Sequence, residues 1–217
     1  MARIRFEDAT EKAAPLPKNW GDVPVLNGSC TDIRKSTLEE HHVAVFGYGM
    51  AVDPVRHKGA MLEKGDGNAL HDGRVVTGPF RSEQVIPGKV YQTVIDNRSS
   101  DGRLVDLRVA WIQGAWPVAY LKYKSPTSRF TNTTVDVTLA DAGDLFTSDE
   151  LLQMGEVLKR MDVDFAEVDV LRDQGSGDLF LVDVNPTPWG PPSGLPEPDK
   201  KLALNLLAQS FSRASTF

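Results

Sequence analysis

From about residue 60 the apolar and polar positions alternate in short runs separated by Gly, Asp and Asn: "GAMLEK", "RVVTGPF", "KVYQTVID", "LVDLRVAWIQG" and "WPVAYLKY". A period of two marks half-buried strands, and the turn residues between them predict a mixed or antiparallel sheet. The period then changes. In "TSDELLQMGEVLKRM", Leu151, Met154, Leu158 and Met161 fall on one stripe while Thr147 and Glu150 have capping-box spacing, so a helix is predicted there. Further helices are predicted in "TDIRKSTLEEHHVAVF", with Thr31 and Asp32 as caps, and in "KKLALNLLAQSFSRA" after the Pro-rich "PPSGLPEPD". "FAEVDVLRD" and "DLFLVDVNP" read as strands around the turn "QGSG". Residues 1–30, rich in Pro, Gly and Asn, read as an irregular arm with one short strand, "RIRF". Strands and helices interleaved in this way predict an α+β fold.

The strand "DLFLVDVNP" ends in an acid and an amide. In a regular pleat Leu179, Leu181, Asp183 and Asn185 share one face and Phe180, Val182 and Val184 the other, so both faces stay apolar until the strand's end. "FAEVDVLRD" carries Glu167 and Asp169 in the same way, and an odd-numbered loop centred on "GSG" would set Asp169 opposite Asp183. Two carboxylates so placed repel, and burying them without a counter-charge is worse. A hard cation would resolve the conflict. Magnesium takes one or two protein carboxylates, leaves its other positions to water and phosphates, and finds in Asn185 a neutral oxygen one pleat further on. The same acids would equally suit a solvated sheet rim.

In "MLEKGDGNALHDG" Lys64 closes a strand just before Gly65, Gly67 and Gly73. Glycines let backbone N–H groups approach an anion and a lysine adds a point charge, a combination that suits phosphate oxygens. A plain glycine-rich hairpin turn fits as well, because no Gly-Lys-Ser/Thr follows. His71 and Asp72 read as turn residues. His41 and His42 are consecutive, point about 100° apart on a helix, and read as solvated helix residues instead of a metal pair.

Composition narrows the partners. A chain of 217 residues can form one well-cored domain or two small lobes. With 30 acidic against 24 basic side chains its net charge is -6, which leaves no global basic field for nucleic acid. The single cysteine, Cys30, excludes a disulfide framework and a Cys-based zinc site and suits a reducing compartment. No run approaches the roughly 18 apolar residues of a spanning helix and the N-terminus has no secretory apolar region, so a cytoplasmic protein without a membrane partner is expected.

In their order along the chain these segments resemble the ATP-grasp superfamily, from about residue 60 to 192 with a weaker extension back to residue 31. The resemblance implies an arm over 1–30 and an ATP-grasp-like domain over 31–217, whose small lobe (about 55–95) and large lobe (about 96–217) sandwich ATP. It implies that Lys64 and the Gly65–Gly67 loop cover the phosphates and that Lys35 reaches them from the preceding helix. Gln92, Thr93, Val94 and Ile95 in "VYQTVID" would line the adenine, with Asp96 near the ribose. "VDLRVAWI" supplies the family's "DxRV" with Asp106 and Arg108, and "SRFTN" its basic segment with Arg129 and Asn132. Asp169, Asp183 and Asn185, ahead of the Pro-rich "PTPWGPP", would bind Mg2+. The implied activity is that of a ligase that phosphorylates a carboxylate to an acylphosphate, which an amine then attacks, with Lys64 and Arg129 acting on the transferring group. Substrates would be small-molecule or peptide carboxylates and amines. Two departures stand out: Asp183 occupies a position where many members carry Glu, and the family's acceptor-binding N-terminal domain is matched here by about 30 irregular residues. The second departure admits a homo-oligomer or partner that completes the acceptor site, or a non-catalytic nucleotide-binding regulatory or interaction protein.

Overall fold

The alternating segments form two separate antiparallel sheets in a computed structural model of the chain, which describes residues 3–4, 25–68, 70, 72–128 and 134–214. Two-residue strands β1 (Arg3–Ile4) and β2 (Val25–Leu26) pair in parallel ahead of helix α1 (Lys35–Phe46). Strands β3 (Gly59–Gly65), β4 (Arg74–Gly78) and β5 (Lys89–Thr93) make a three-stranded sheet in the order β4-β3-β5. The larger sheet takes β6 (Leu104–Ile112), β7 (Ala119–Lys124), β8 (Asp136–Ala140), β9 (Phe165–Arg172) and β10 (Leu179–Asn185) in the order β10-β9-β6-β7-β8. Helices α2 (Ala142–Leu145) and α3 (Ser148–Arg160) lie between β8 and β9, and α4 (Glu197–Ala214) follows β10.

One face of the larger sheet is closed by α1 and α3, which bury Val109, Trp111, Val168, Val170 and Leu181 beneath them. The α3 stripe is the driving element: Met154, Val157 and Leu158 are fully buried, and each such side chain contributes roughly 1.5–3 kcal/mol. Its capping box is formed, with Thr147 accepting from the Glu150 N–H and Glu150 accepting from the Thr147 N–H. Gly155 lets the helix settle onto the sheet, since a Cβ there would stand 3.1 Å from the Trp111 ring. The opposite face is divided. At one end α4 lays Leu206, Leu207 and Phe211 over Ala110, Val118, Ile112 and Phe165. At the other end that face looks across a cavity to the three-stranded sheet.

Four sequence expectations are corrected. Helix α1 begins at Lys35 with Arg34 as N-cap and no side-chain cap; Asp32 instead accepts from the Arg34 N–H at 2.9 Å and the Thr37 hydroxyl at 2.8 Å. His42 is not solvated but fully buried, because Leu38, His42 and Phe46 share the inward row of α1 four residues apart. Its ring stacks on Phe46 at 4.4 Å, and burial pushes its imidazole pKa down to about 4. Strand β8 and helix α2 form where no element was expected, and α4 starts at Glu197, ahead of Lys200. The alternation of Val135, Val137 and Leu139 is the signal that marked β8.

Candidate functional site

The β9–β10 hairpin changes register once. Leu179, Phe180 and Leu181 pair with Arg172, Leu171 and Val170, whereas Asp183, Val184 and Asn185 pair with Asp169, Val168 and Glu167. Val182 is the extra residue, a β-bulge. A regular pleat with an odd loop was expected to bring the two acids together; an even register followed by a bulge does so instead. The faces change accordingly. Leu179, Leu181 and Val184 enter the helix-covered core, while Val182 and Asp183 line the cavity. Without the bulge Asp183 would lie on the same face as Leu179 and Leu181, among apolar side chains.

From Asp183 a polar row runs across four strands through Asp169 and Arg108 to Tyr120. Arg108 grips Asp169 with two parallel bonds, Nε to Oδ1 and Nη2 to Oδ2, each 2.7 Å. Burial alone would raise the Asp169 carboxyl, but the guanidinium holds it below the usual range. Asp183 has no such clamp. Burial pushes its carboxyl up, Asp169 adds to this, and the Lys35 ammonium 3.9 Å from Oδ1 offsets part of it. Its Oδ1 is buried without a hydrogen-bond partner.

Lys64 faces these acids from β3 and lines the same cavity. Burial first, then the neighbouring Lys35 charge, push its pKa down to about 8. Among the described residues no carboxylate lies within 4.0 Å of the Lys64 ammonium. The glycine loop is fastened to the first turn of α1: Lys35 Nζ donates to the Gly67 carbonyl at 2.5 Å, the Lys35 N–H to the Asp66 carbonyl at 2.9 Å, and Ser36 donates twice to the Asp66 carboxylate at 2.8 Å. The Gly65 N–H donates to Asp72 Oδ1 at 2.8 Å.

The other end of the cavity is an apolar slot between Met50, Leu171 and Val182, edged by Gln92, Thr93, Val94 and Ile95. Gln92 is 3% exposed, and its Oε1 is buried without a partner. Asp96 does not line the cavity; its carboxylate holds Arg98 at 2.6 and 2.7 Å. Asn185 Oδ1 accepts from the Thr187 N–H at 3.0 Å and hydroxyl at 3.1 Å, so both lone pairs serve the following loop. Gly65, Gly67 and Arg108 stand one step behind the lining. Arg129, Asn132 and His71 lie outside the described residues.

Sequence reasoning passed over Tyr120, Lys122 and Lys124, and placed Glu167 beside Asp169 without giving it a role. Lys124 pairs with Asp106 at 2.6 Å, burial lowers Lys122, and burial raises Glu167 to about 7 against the pull of Arg108. The alternation "YLKYK" placed two lysines on one face of a strand, which was the available signal. Among the described residues no group of three or more His, Cys, Asp or Glu side chains is arranged to hold a metal, and no helix is long and apolar enough to cross a membrane. Two apposed carboxylates, one with an orphaned buried oxygen, nevertheless fit a hard cation that takes its remaining ligands from phosphate.

No protein-family profile and no curated protein sequence matches the chain. Solved structures do. The VanG D-Ala:D-Ser ligase from Enterococcus faecalis aligns over 90% of this chain and 66% of its own, with 11% identity and a TM-score of 0.58. A D-alanine–D-alanine ligase from Bacillus anthracis, complexed with ATP, aligns over 95% and 76%, with 10% identity and a TM-score of 0.55. The ATP-grasp ligase PsnB, complexed with a minimal precursor, aligns over 88% and 66%, with 14% identity and a TM-score of 0.54. The chain has the ATP-grasp fold. It spans just under two thirds of PsnB, and at these identities the likeness is one of fold.

Proposed function

We propose that the protein is an ATP- and magnesium-dependent ligase that transfers the γ-phosphoryl group of ATP to a carboxylate and lets an amine displace phosphate from the acylphosphate, yielding an amide, ADP and phosphate. The observation that carries this reading is the Asp169–Asp183 cross-strand pair, facing Lys35 and Lys64 in one cavity that ends in an apolar slot. In this reading the adenine enters the slot against Gln92–Ile95. Lys35, Lys64 and the Gly65–Gly67 loop receive the phosphates. Magnesium held by Asp169 and Asp183 would supply neutralising charge to the phosphate oxygens, while Asn185 braces the loop that follows β10. Arg108 orients Asp169, and Arg129 and Asn132 serve the γ-phosphoryl group. The work of the protein is positioning and charge compensation, and no protein nucleophile is needed. PsnB, of the same fold, was solved with Mg and ADP, which supports the pairing of nucleotide and metal.

Mg-ATP should therefore raise the thermal midpoint, since a ligand at a hundredfold excess over its dissociation constant adds about 2.7 kcal/mol to apparent stability. Asp183→Asn should abolish most of that shift while leaving the free protein as stable or more so, because burial already favours the neutral form of this carboxyl. An unmoved midpoint at millimolar Mg-ATP would sink the reading. A second reading, a nucleotide-binding regulatory or interaction protein, would use the same cavity without an acceptor. ADP release that depends on both a carboxylate and an amine, small-molecule or peptide, decides for the ligase.

A further inference from the structure

The β3–β4 ladder ends at Glu63–Arg74; had it continued, Gly65 would have faced residue 72 across the strands. Instead the Asp72 side chain turns back over the strand end. Its Oδ1 accepts the Gly65 N–H at 2.8 Å, and its Oδ2 accepts from the Lys89 ammonium, which the β3–β5 register sets beside Gly65. A Cβ on Gly65 would meet Leu70 Cδ1 at 2.3 Å and Asp72 Oδ2 at 3.1 Å, so a larger residue there would push both side chains away from the strand end. Leu70 and Asp72 line the same cavity as Lys35, Lys64, Asp169 and Asp183. A fourth carboxylate in a cavity that already holds Asp106, Asp169 and Asp183 is electrostatically out of place unless its donors are made for an anion. A glycine N–H at a strand end and a lysine ammonium are such donors.

We propose that the Gly65 N–H and the Lys89 ammonium form a subsite for a nucleotide phosphate oxygen, and that the Asp72 carboxylate fills it as an internal stand-in which phosphate must displace. The inference rests on the nucleotide reading of the cavity and adds Lys89 to its phosphate ligands. The Lys89 bond and the Gly65 bond hold the Asp72 carboxyl below its usual range, so the stand-in is an anion at neutral pH. Apparent phosphate affinity is reduced by the fraction of molecules in which Asp72 sits in the subsite, and removing the competitor restores it.

Calorimetric titration of the full chain with Mg-ATP, pyrophosphate and adenosine tests this on Asp72→Ala, Asp72→Asn, Lys89→Ala and the Asp72→Ala/Lys89→Ala double variant. Asp72→Ala should tighten Mg-ATP and pyrophosphate by about three- to tenfold and leave adenosine unchanged. Asp72→Asn, which keeps an acceptor for Gly65 and loses the charge, should give a smaller gain of the same sign. The double variant should lose the gain, because the freed Lys89 is what phosphate contacts. The ion pair is part-exposed at both partners, so the variants should melt like the wild type. A gain that survives in the double variant, or no gain in either Asp72 variant, overturns the subsite. If the wild type and all variants bind adenosine and Mg-ATP equally poorly, the nucleotide reading falls; tightening of pyrophosphate by Asp72→Ala then still supports a phosphate subsite, and no tightening overturns it as well.

Discussion

At the scale of single residues the site is built by unequal treatment of chemically similar groups. Asp169 and Asp183 face each other, yet one is clamped by Arg108 and the other keeps an unpartnered oxygen, so Asp183 has the greater need of a further cation. His42 shows the same logic outside the site. Neither of its ring nitrogens has a partner, and Phe46, Tyr48 and Phe180 surround it. The folded protein therefore refuses a proton that the unfolded chain accepts near pH 6.5. Stability should fall as pH drops from about 6.5 to about 4 and then level off, with a contribution of about 3 kcal/mol from this group alone. Carboxyls with raised pKa, such as Glu167 and Asp183, act in the opposite sense over part of this range. The contribution is isolated by comparing wild type with His42→Phe in urea at pH 7 and pH 4.5. The variant should lose less stability on acidification, and equal losses would mean that the imidazole is already charged or hydrated. The burial of His42 was legible in the four-residue spacing of Leu38, His42 and Phe46, a pattern that the adjacent His41–His42 pair masks.

At the scale of elements, α3 was readable because its signals are local: a 3.6-residue stripe and a cap three residues ahead of its partner. The bulge at Val182 was not, because nothing in "DLFLVDVNP" records the register that β9 imposes on it. The capping box also does more than end a helix. Glu150 accepts from Arg172 Nη1 at 2.7 Å and Nη2 at 3.1 Å, which ties the start of α3 to the end of β9. Thr147→Ala should cost about 1 kcal/mol, the usual worth of an N-cap. Glu150→Ala should cost more, about 2–3 kcal/mol, because it also strips the half-buried Arg172 of its charged acceptor and leaves it the carbonyls of Leu145 and Gly177. Chemical denaturation of both variants measures the difference. Equal small losses would show that the Arg172 pair is solvated and that the box acts on the helix alone.

At the scale of the whole molecule, the cavity exists because two sheets meet: Lys64 comes from the small one, its acids from the large one. The strands of each sheet were visible in the alternation of the sequence, whereas the division of the large sheet's outer face between α4 and the cavity was not, since it depends on contacts distant along the chain. That division gives Lys64 its character. Burial between the sheets and the nearby Lys35 bring its pKa down to about 8, so in the free protein it is mostly charged at pH 7 and mostly neutral at pH 9. Phosphate oxygens favour the ammonium and raise that pKa on binding. Nucleotide binding should then take up little proton at pH 7 and close to one proton at pH 9, and affinity should weaken by up to about tenfold per pH unit above 8. Calorimetry in paired buffers of different ionisation enthalpy reads the proton uptake directly. Lys64→Arg, whose charge persists across this range, should bind with a flat profile. Uptake that is the same at both pH values in the wild type would mean that Lys64 is solvated, and that the two sheets stand further apart than the contact between their charges requires.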